Sequence, residues 1–385
     1  MIVDAHAHIF PFLGRTPGVG YLRYLQRGLS GNHQPVRRTA DNAVVPHPIW
    51  ATDDPSQGGY QEVNFRVGRF GRFEWTKDGV DYYKQYMPPS LVDNACTADY
   101  LVAEMDYAGV DRAVLQNDHY YGSLNDLFAD AVRRYPDRFL GTAHIDETTI
   151  GTDVSLASLN RAAHGQGLRG IFYDSRDSWN GTTNGAVDEP WFDRFWDEVE
   201  RLRLVVYWAP NAPPGSGVPG YLRQLRRWLD RLQRNPGLTM VLAGGLPLSI
   251  LDAHPAALPQ EILALVRSGN VCYELCYPIS VGGSEEYPYP RTLERVRRLY
   301  QECGPASLVW GSDMPNVLRH CTYTQALNHI RLHADFIPPA DLDLVLGGNL
   351  VRLFEGAGRQ VLQRVAEKPV RPYARRTAPL SCKPL

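Results

Sequence analysis

The chain has no long hydrophobic run. Nowhere in its 385 residues do about 18 apolar side chains follow one another, so a membrane-spanning helix is not expected. Surplus charge is missing too: 40 Lys and Arg stand against 42 Asp and Glu, which gives no general attraction for nucleic acid or an anionic membrane. The six cysteines are scattered apart from Cys272 and Cys276 in "VCYELCYP", so neither a disulfide framework nor a zinc knuckle is indicated, and both read as core thiols. The opening "MIVDAHAHIF" lacks a basic region leading into an apolar run; with reduced thiols, this reads as a cytoplasmic protein. No glycine-rich turn follows the first apolar segment, which disfavours a doubly wound nucleotide-binding sheet. Internal repeats and low-complexity domains are also missing.

What is present is a regular alternation. Hydrophobic residues make up 44% of the chain, enough for a large core. Strand-like runs occupy 112–117, 138–144, 168–173, 203–208, 238–243, 270–275 and 307–312, and with "MIVDA" they number eight. Segments between them, such as "ADYLVAEMDYAG" and "PWFDRFWDEVERL", carry apolar residues at helical spacing. Eight strands each followed by a helix predict an α/β fold, a TIM (β/α)8 barrel, in a single domain over 1–370. Residues 11–95 interrupt the first strand-to-helix connection and read as an insertion, or lid, at the mouth; the Pro- and Arg-rich 371–385 read as a tail. Within the insertion, Lys77-Asp78-Gly79 predicts a hairpin turn. The dense aromatics Phe65, Phe70, Phe73, Trp75, Tyr82, Tyr83 and Tyr86 suit a satellite core, a substrate wall, or both.

In such barrels the chemistry sits where strands end. His6 and His8 follow the first strand, and their spacing of two puts both imidazoles on one face, as a shared metal ion requires. The second strand ends in Asp118 and His119 of "QNDHYYG", and the third in His144 of "TAHIDE". The seventh carries Glu274, which alternation aligns with Cys272 and Cys276, and the eighth ends in Asp313 of "GSDMPN". Asp118 and His320 are candidates for moving protons, with His144 as an alternative. The remaining histidines fall in loops and helices and read as solvated or capping residues.

Together "DAHAHIFP", "EMDYAGVDRAVL", "RRYPDRFLGTAHID", "VWGSDMPN" and "GGNLVRLF" resemble the amidohydrolase-related family that includes aminocarboxymuconate semialdehyde decarboxylase. The resemblance implies a divalent metal bound by His6, His8 and Asp313. It also implies histidines at the ends of strands five and six, where this chain has "VVYWAPNA" and "VLAGGLPL", and the lysine that bridges two metals in binuclear relatives is missing from "GIFYDS". Counting His6, His8, His119, His144, Glu274 and Asp313 gives a mixed imidazole and carboxylate set suited to two first-row metals. That pattern is similar to a branch of TIM-barrel non-haem diiron monooxygenases of diterpenoid antibiotic biosynthesis, which act on coenzyme A-linked substrates.

The leading expectation is therefore a diiron monooxygenase with two iron ions, dioxygen, an electron donor and an apolar small-molecule substrate, with a coenzyme A thioester and a homodimer among the options. Arg66, Arg69 and Arg72 would be the residues to meet phosphates. The alternative is a hydrolase or decarboxylase with one zinc or manganese ion on His6, His8 and Asp313. A second alternative is an inactive barrel kept as a binding protein.

Overall fold

The computed structural model describes residues 1–15, 25, 34–45, 63–118, 121–174, 187–210 and 217–356. His119 and the tail from 371 lie outside the described residues. Twelve strands are described: β1 (Val3–Ala7), four in the insertion, and seven more that complete a barrel. The seven are β6 (Arg112–Leu115), β7 (Phe139–His144), β8 (Gly170–Asp174), β9 (Val205–Ala209), β10 (Met240–Leu242), β11 (Val271–Leu275) and β12 (Leu308–Trp310). They form one parallel sheet in the order β1-β6-β7-β8-β9-β10-β11-β12. The sheet closes where Asp313 N donates to His6 O and His8 N donates to Met314 O. Asp4 adds a second clasp, its carboxylate accepting from Ser312 N (2.9 Å), Ser312 Oγ (2.5 Å) and Tyr323 OH (2.6 Å).

Both faces of these strands are covered, which is why they read as apolar runs rather than alternations. Inside lie Val3, Ala5, Val114, Phe172, Val205, Tyr207, Val241, Cys272 and Val309, floored by Leu350, Leu353 and Phe354 of the helix Asn349–Gly356. Outside, larger side chains such as Trp208 and Trp310 meet the ring of helices. The helix Ala98–Ala108 shows how locally the sequence fixes these elements. Thr97 caps its start by accepting from Tyr100 N, and Gly109 ends it in the left-handed region at φ 77°. Expected strands match the observed ones with ends shifted by a few residues, as at 168–173 against Gly170–Asp174. No described helix is long and apolar enough to cross a membrane.

The insertion contributes β2 (Val36–Arg38), β3 (Arg66–Val67), β4 (Arg72–Lys77) and β5 (Val80–Gln85), an antiparallel sheet in the order β2-β5-β4-β3. Lys77 pairs with Val80 across Asp78 and Gly79, whose φ values of 52° and 75° are those of a two-residue primed turn. Phe73 and Trp75 are fully buried, and the pairs Phe65–Phe73, Phe73–Tyr86 and Trp75–Tyr82 make a satellite core. Three connections fix this sheet near the mouth. Phe10 pairs with Cys96, Asn94 Nδ2 donates to Gly68 O and Arg72 O, and Arg319 Nη1, after the last strand, donates to Tyr86 O.

Candidate metal centre

The pairing of β1 with β6 shifts register between Asp4 and Ala7, so His6 and His8 sit on an irregular strand end. Their rings meet nearly edge to face, with Nε2 atoms 3.0 Å apart. Each ring is oriented from behind. His6 Nδ1 lies 2.8 Å from Glu274 Oε2, and His8 Nδ1 lies 2.8 Å from Gln116 O. Both partners are acceptors in this pairing, so each Nδ1 carries the proton and each Nε2 presents its lone pair.

Asp313 supplies the third donor. Its Oδ1 is 3.1 Å from His8 Nε2 and 3.8 Å from His6 Nε2. The residue takes a left-handed φ of 62°, a conformation Asp tolerates better than most residues, and Asn316 Nδ2 holds Oδ1 at 2.7 Å. Two lone pairs and a carboxylate oxygen this close repel one another unless positive charge lies between them. Ligands of one first-row cation, bound at about 2.0–2.2 Å, stand about 3–3.5 Å apart, so this donor set fits such an ion. Without an ion the same acidic surroundings favour a proton on His6: burial lowers its basicity, but Glu274 and Cys276 outweigh it and hold its pKa well above the ordinary value, so a cation at Nε2 has to displace that proton. Burial works against the charge on Asp313 too, yet the His8 hydrogen bond and the two imidazoles keep it below the usual carboxylate range.

Glu274 faces into the barrel as the alternation in β11 predicts, and it is completely buried. Besides His6, it accepts from Gln116 Nε2 (2.7 Å) and from Gly244 N (2.6 Å). It therefore approaches His6 on the ring nitrogen opposite the one shared with His8 and Asp313. Gly244 is part of the segment where the family resemblance implies a histidine; here its amide serves Glu274. Cys276 completes a group with His6 and Glu274 whose ligand atoms lie within 4.8 Å of one another. Burial pushes its thiol up to about 12. Cys272 is a core thiol as expected, whereas Cys276 belongs to the site, on the same alternation that placed Glu274.

The other candidates are dispersed. His144 ends β7, its main chain held on both sides by Asn125, and it joins neither ligand group among the described residues. His320 packs on Gly282 and lines an outer cleft of about 630 Å³ with Tyr100 and Glu104; burial and Arg319 lower its pKa. Asp118 lies beside Tyr121, a residue the sequence reading passed over. The Tyr121 ring stacks on Phe10, tilts against His8 at 4.9 Å, and its hydroxyl accepts from Asn316 Nδ2. Burial, then the nearby Tyr86, Asp313 and Asp118, hold that phenol protonated. Gln116, Tyr121 and Asn316 carried no sequence signal beyond closeness to a strand end. Of the insertion arginines, Arg66 pairs with Glu74 and Asp81, Arg69 pairs with Asp93, and Arg72 stacks on Tyr83.

Solved structures similar to this one include the probable 2-pyrone-4,6-dicarboxylic acid hydrolase of Acinetobacter baumannii with citric acid bound, at TM-score 0.54 and 17% identity over 92% of this chain and 98% of that one. The dihydroxybenzoic acid decarboxylase of a Polaromonas species, with bound manganese and the inhibitor 2-nitroresorcinol, aligns at TM-score 0.52 and 17% identity over 69% of this chain and 87% of that one. The 2,6-dihydroxybenzoate decarboxylase of Rhizobium gives 0.51 and 17% over 69% and 89%. At these identities the likeness is one of fold. No curated protein gives a significant sequence match. The Amidohydrolase family model, in contrast, matches residues 3–356, taking in the barrel together with His6, His8 and Asp313, and this chain belongs to that family of metal-dependent enzymes.

Proposed function

We propose that the protein is a hydrolase or decarboxylase that uses one divalent metal ion, zinc or manganese, on a small carboxylate-bearing molecule. The carrying observation is the approach of His6 Nε2, His8 Nε2 and Asp313 Oδ1 to within 3.8 Å of one another, a ligand set for one ion. Three protein ligands leave positions open for substrate. The fold relatives that act on dihydroxybenzoates and a pyrone dicarboxylic acid support an acidic substrate of similar size.

When bound, the cation supplies Lewis-acid polarisation of a substrate oxygen. The chain's residues do the rest. His6 and His8 present Nε2 because Glu274 and Gln116 hold the opposite nitrogens, and Asn316 fixes Asp313. Tyr121, protonated and beside Asp313, can donate a hydrogen bond to a substrate anion, while Asp118 next to it is the candidate to take up or return a proton.

The diiron monooxygenase reading requires a second ion. Among the described residues, the second group reuses His6, and its Glu274 already accepts three hydrogen bonds. The ion pairs of Arg66 and Arg69 likewise weaken the case for coenzyme A. The first point favours the one-metal reading, and the second a substrate without coenzyme A. Protein stripped of metal and reloaded with Mn²⁺ or Zn²⁺ should hold one ion per chain and should convert a member of a panel of hydroxybenzoates and cyclic dicarboxylic acids without oxygen. Two irons per chain with substrate-dependent oxygen consumption would overturn the proposal.

A further inference from the structure

The geometry points to Gln116 as a positioning residue that sets both metal-facing histidines at once, an inference that rests on the one-metal reading above. Gln116 is completely buried just past β6. Its main-chain N donates to Ala7 O at 2.9 Å, which anchors it to β1 between the two histidines. The main-chain oxygen then accepts from His8 Nδ1 at 2.8 Å. The side chain turns the other way: Nε2 donates to Ala5 O at 2.9 Å and to Glu274 Oε1 at 2.7 Å. Glu274 Oε2 in turn accepts from His6 Nδ1. One residue thus reaches His8 directly and His6 through one carboxylate.

The chemistry demands glutamine here. Two acceptors face the side chain, so its amino end must point at them, which leaves Gln116 Oε1 buried without a hydrogen-bond partner. That orphan oxygen is a standing cost in a completely buried place, and an apolar side chain would avoid it. Retaining the amide is explained if its donors are needed, and the donor to Glu274 is the one that bears on the metal. It fixes the plane of the Glu274 carboxylate, and that plane fixes the tautomer and tilt of His6. Gly244 N, on the other Glu274 oxygen, completes the brace.

The test measures Mn²⁺ binding to the metal-free full chain, read as loss of the free-ion paramagnetic resonance signal, so that activity is not needed. Gln116→Met removes the donors and keeps the shape; it should weaken Mn²⁺ binding roughly 10–100-fold, the range found for residues behind metal ligands. Gln116→Glu, also of the same shape, replaces the donor with an acceptor and should weaken binding as well, which keeps the test alive if the Met variant does not fold. A purely structural role would lower the melting temperature without this pattern, so the decisive measurement is coupling. Because Gln116 acts through Glu274, the Gln116→Met, Glu274→Gln double variant should bind no more weakly than the weaker single variant. Full affinity in both Gln116 variants, or losses that multiply in the double variant, would overturn the inference while leaving the metal site standing. Wild-type protein that binds no Mn²⁺, or binds it equally well after Asp313→Ala, would overturn both.

Discussion

Acidification below about pH 6.5 should destabilise the protein through a histidine away from the metal centre. His329 lies on the helix Tyr323–Arg331 and is 1% exposed. Its Nδ1 donates to Pro288 O at 2.9 Å, and its Nε2 is buried without a hydrogen-bond partner. The ring faces Tyr289, with His333, itself bonded to Tyr287, and Glu285 as the nearby charged groups. Burial is the main influence and lowers the imidazole pKa to about 4, with His333 adding to the fall and the Pro288 carbonyl and Glu285 opposing it. The folded value lies below the unfolded one, so the unfolded chain binds more protons. Stability from this residue is complete above about pH 6.5 and drains away as pH falls towards 4; the full drop amounts to about 3 kcal/mol. Asp4 works in the opposite sense, because burial raises its pKa to about 6 and the folded state holds its proton more tightly. The wild-type curve alone would blur the two. The difference in denaturant stability between wild type and His329→Gln, taken at pH 7 and again near pH 4.5, isolates His329. That difference should shift by about 2–3 kcal/mol in favour of the variant on acidification. A difference that stays constant with pH would refute the reasoning.

Four further outcomes are expected. Asp313→Asn should lower Mn²⁺ affinity at least 100-fold or so with little change in melting temperature, by calorimetric titration, since it removes the negative charge held beside His8. Tyr121→Phe should cut turnover by roughly 100-fold while leaving the bound metal count unchanged; a parallel loss of metal would assign the hydroxyl to the ligand set instead. In Gly245→Ala the new Cβ would lie 2.2 Å from Glu274 O at a φ of 78°, so the variant should lose about 1–3 kcal/mol in chemical denaturation and bind metal more weakly as Gly244 N leaves Glu274. Trp75→Ala should cost the insertion about 3–5 kcal/mol, seen in limited proteolysis as early cleavage within the insertion while the barrel persists.

The barrel was legible because its signal is local and repeated. Each strand is apolar on both faces, each helix is amphipathic, and a cap such as Thr97 or Gly109 depends only on near neighbours. The Asp78-Gly79 turn is legible for the same reason. His6, His8 and Asp313 follow from a rule about strand ends, and Glu274 from a period of two. His144 shows where that rule stops. A strand end has a direction around the mouth as well as a height, and β7 is separated from β1 by β6, whereas β12 is the neighbour that closes on β1. The roles of Gln116 and Cys276 depend on contacts across 158 and 270 positions of sequence, between residues whose own surroundings look like ordinary strand ends.

Charge balance gives an independent reason to favour one ion over two. The site holds two carboxylates, the buried Glu274 and the partly buried Asp313, around two imidazoles that present lone pairs from Nε2. Buried charge is tolerated when it is compensated close by. One divalent cation offsets the formal charge of the two carboxylates, whereas two ferrous ions would leave a formal surplus of two positive charges among these residues. Offsetting that surplus would take further anionic ligands, from the protein, from solvent as hydroxide or from the substrate, and among the described residues the ligand groups contain no acid besides these two. Glu274 is also saturated by His6, Gln116 and Gly244, so its charge already acts through His6. The missing histidines after strands five and six therefore need not be replaced by a second metal. At strand six, the place is taken by a backbone amide that holds the carboxylate behind His6, which suits the proposed single-ion site.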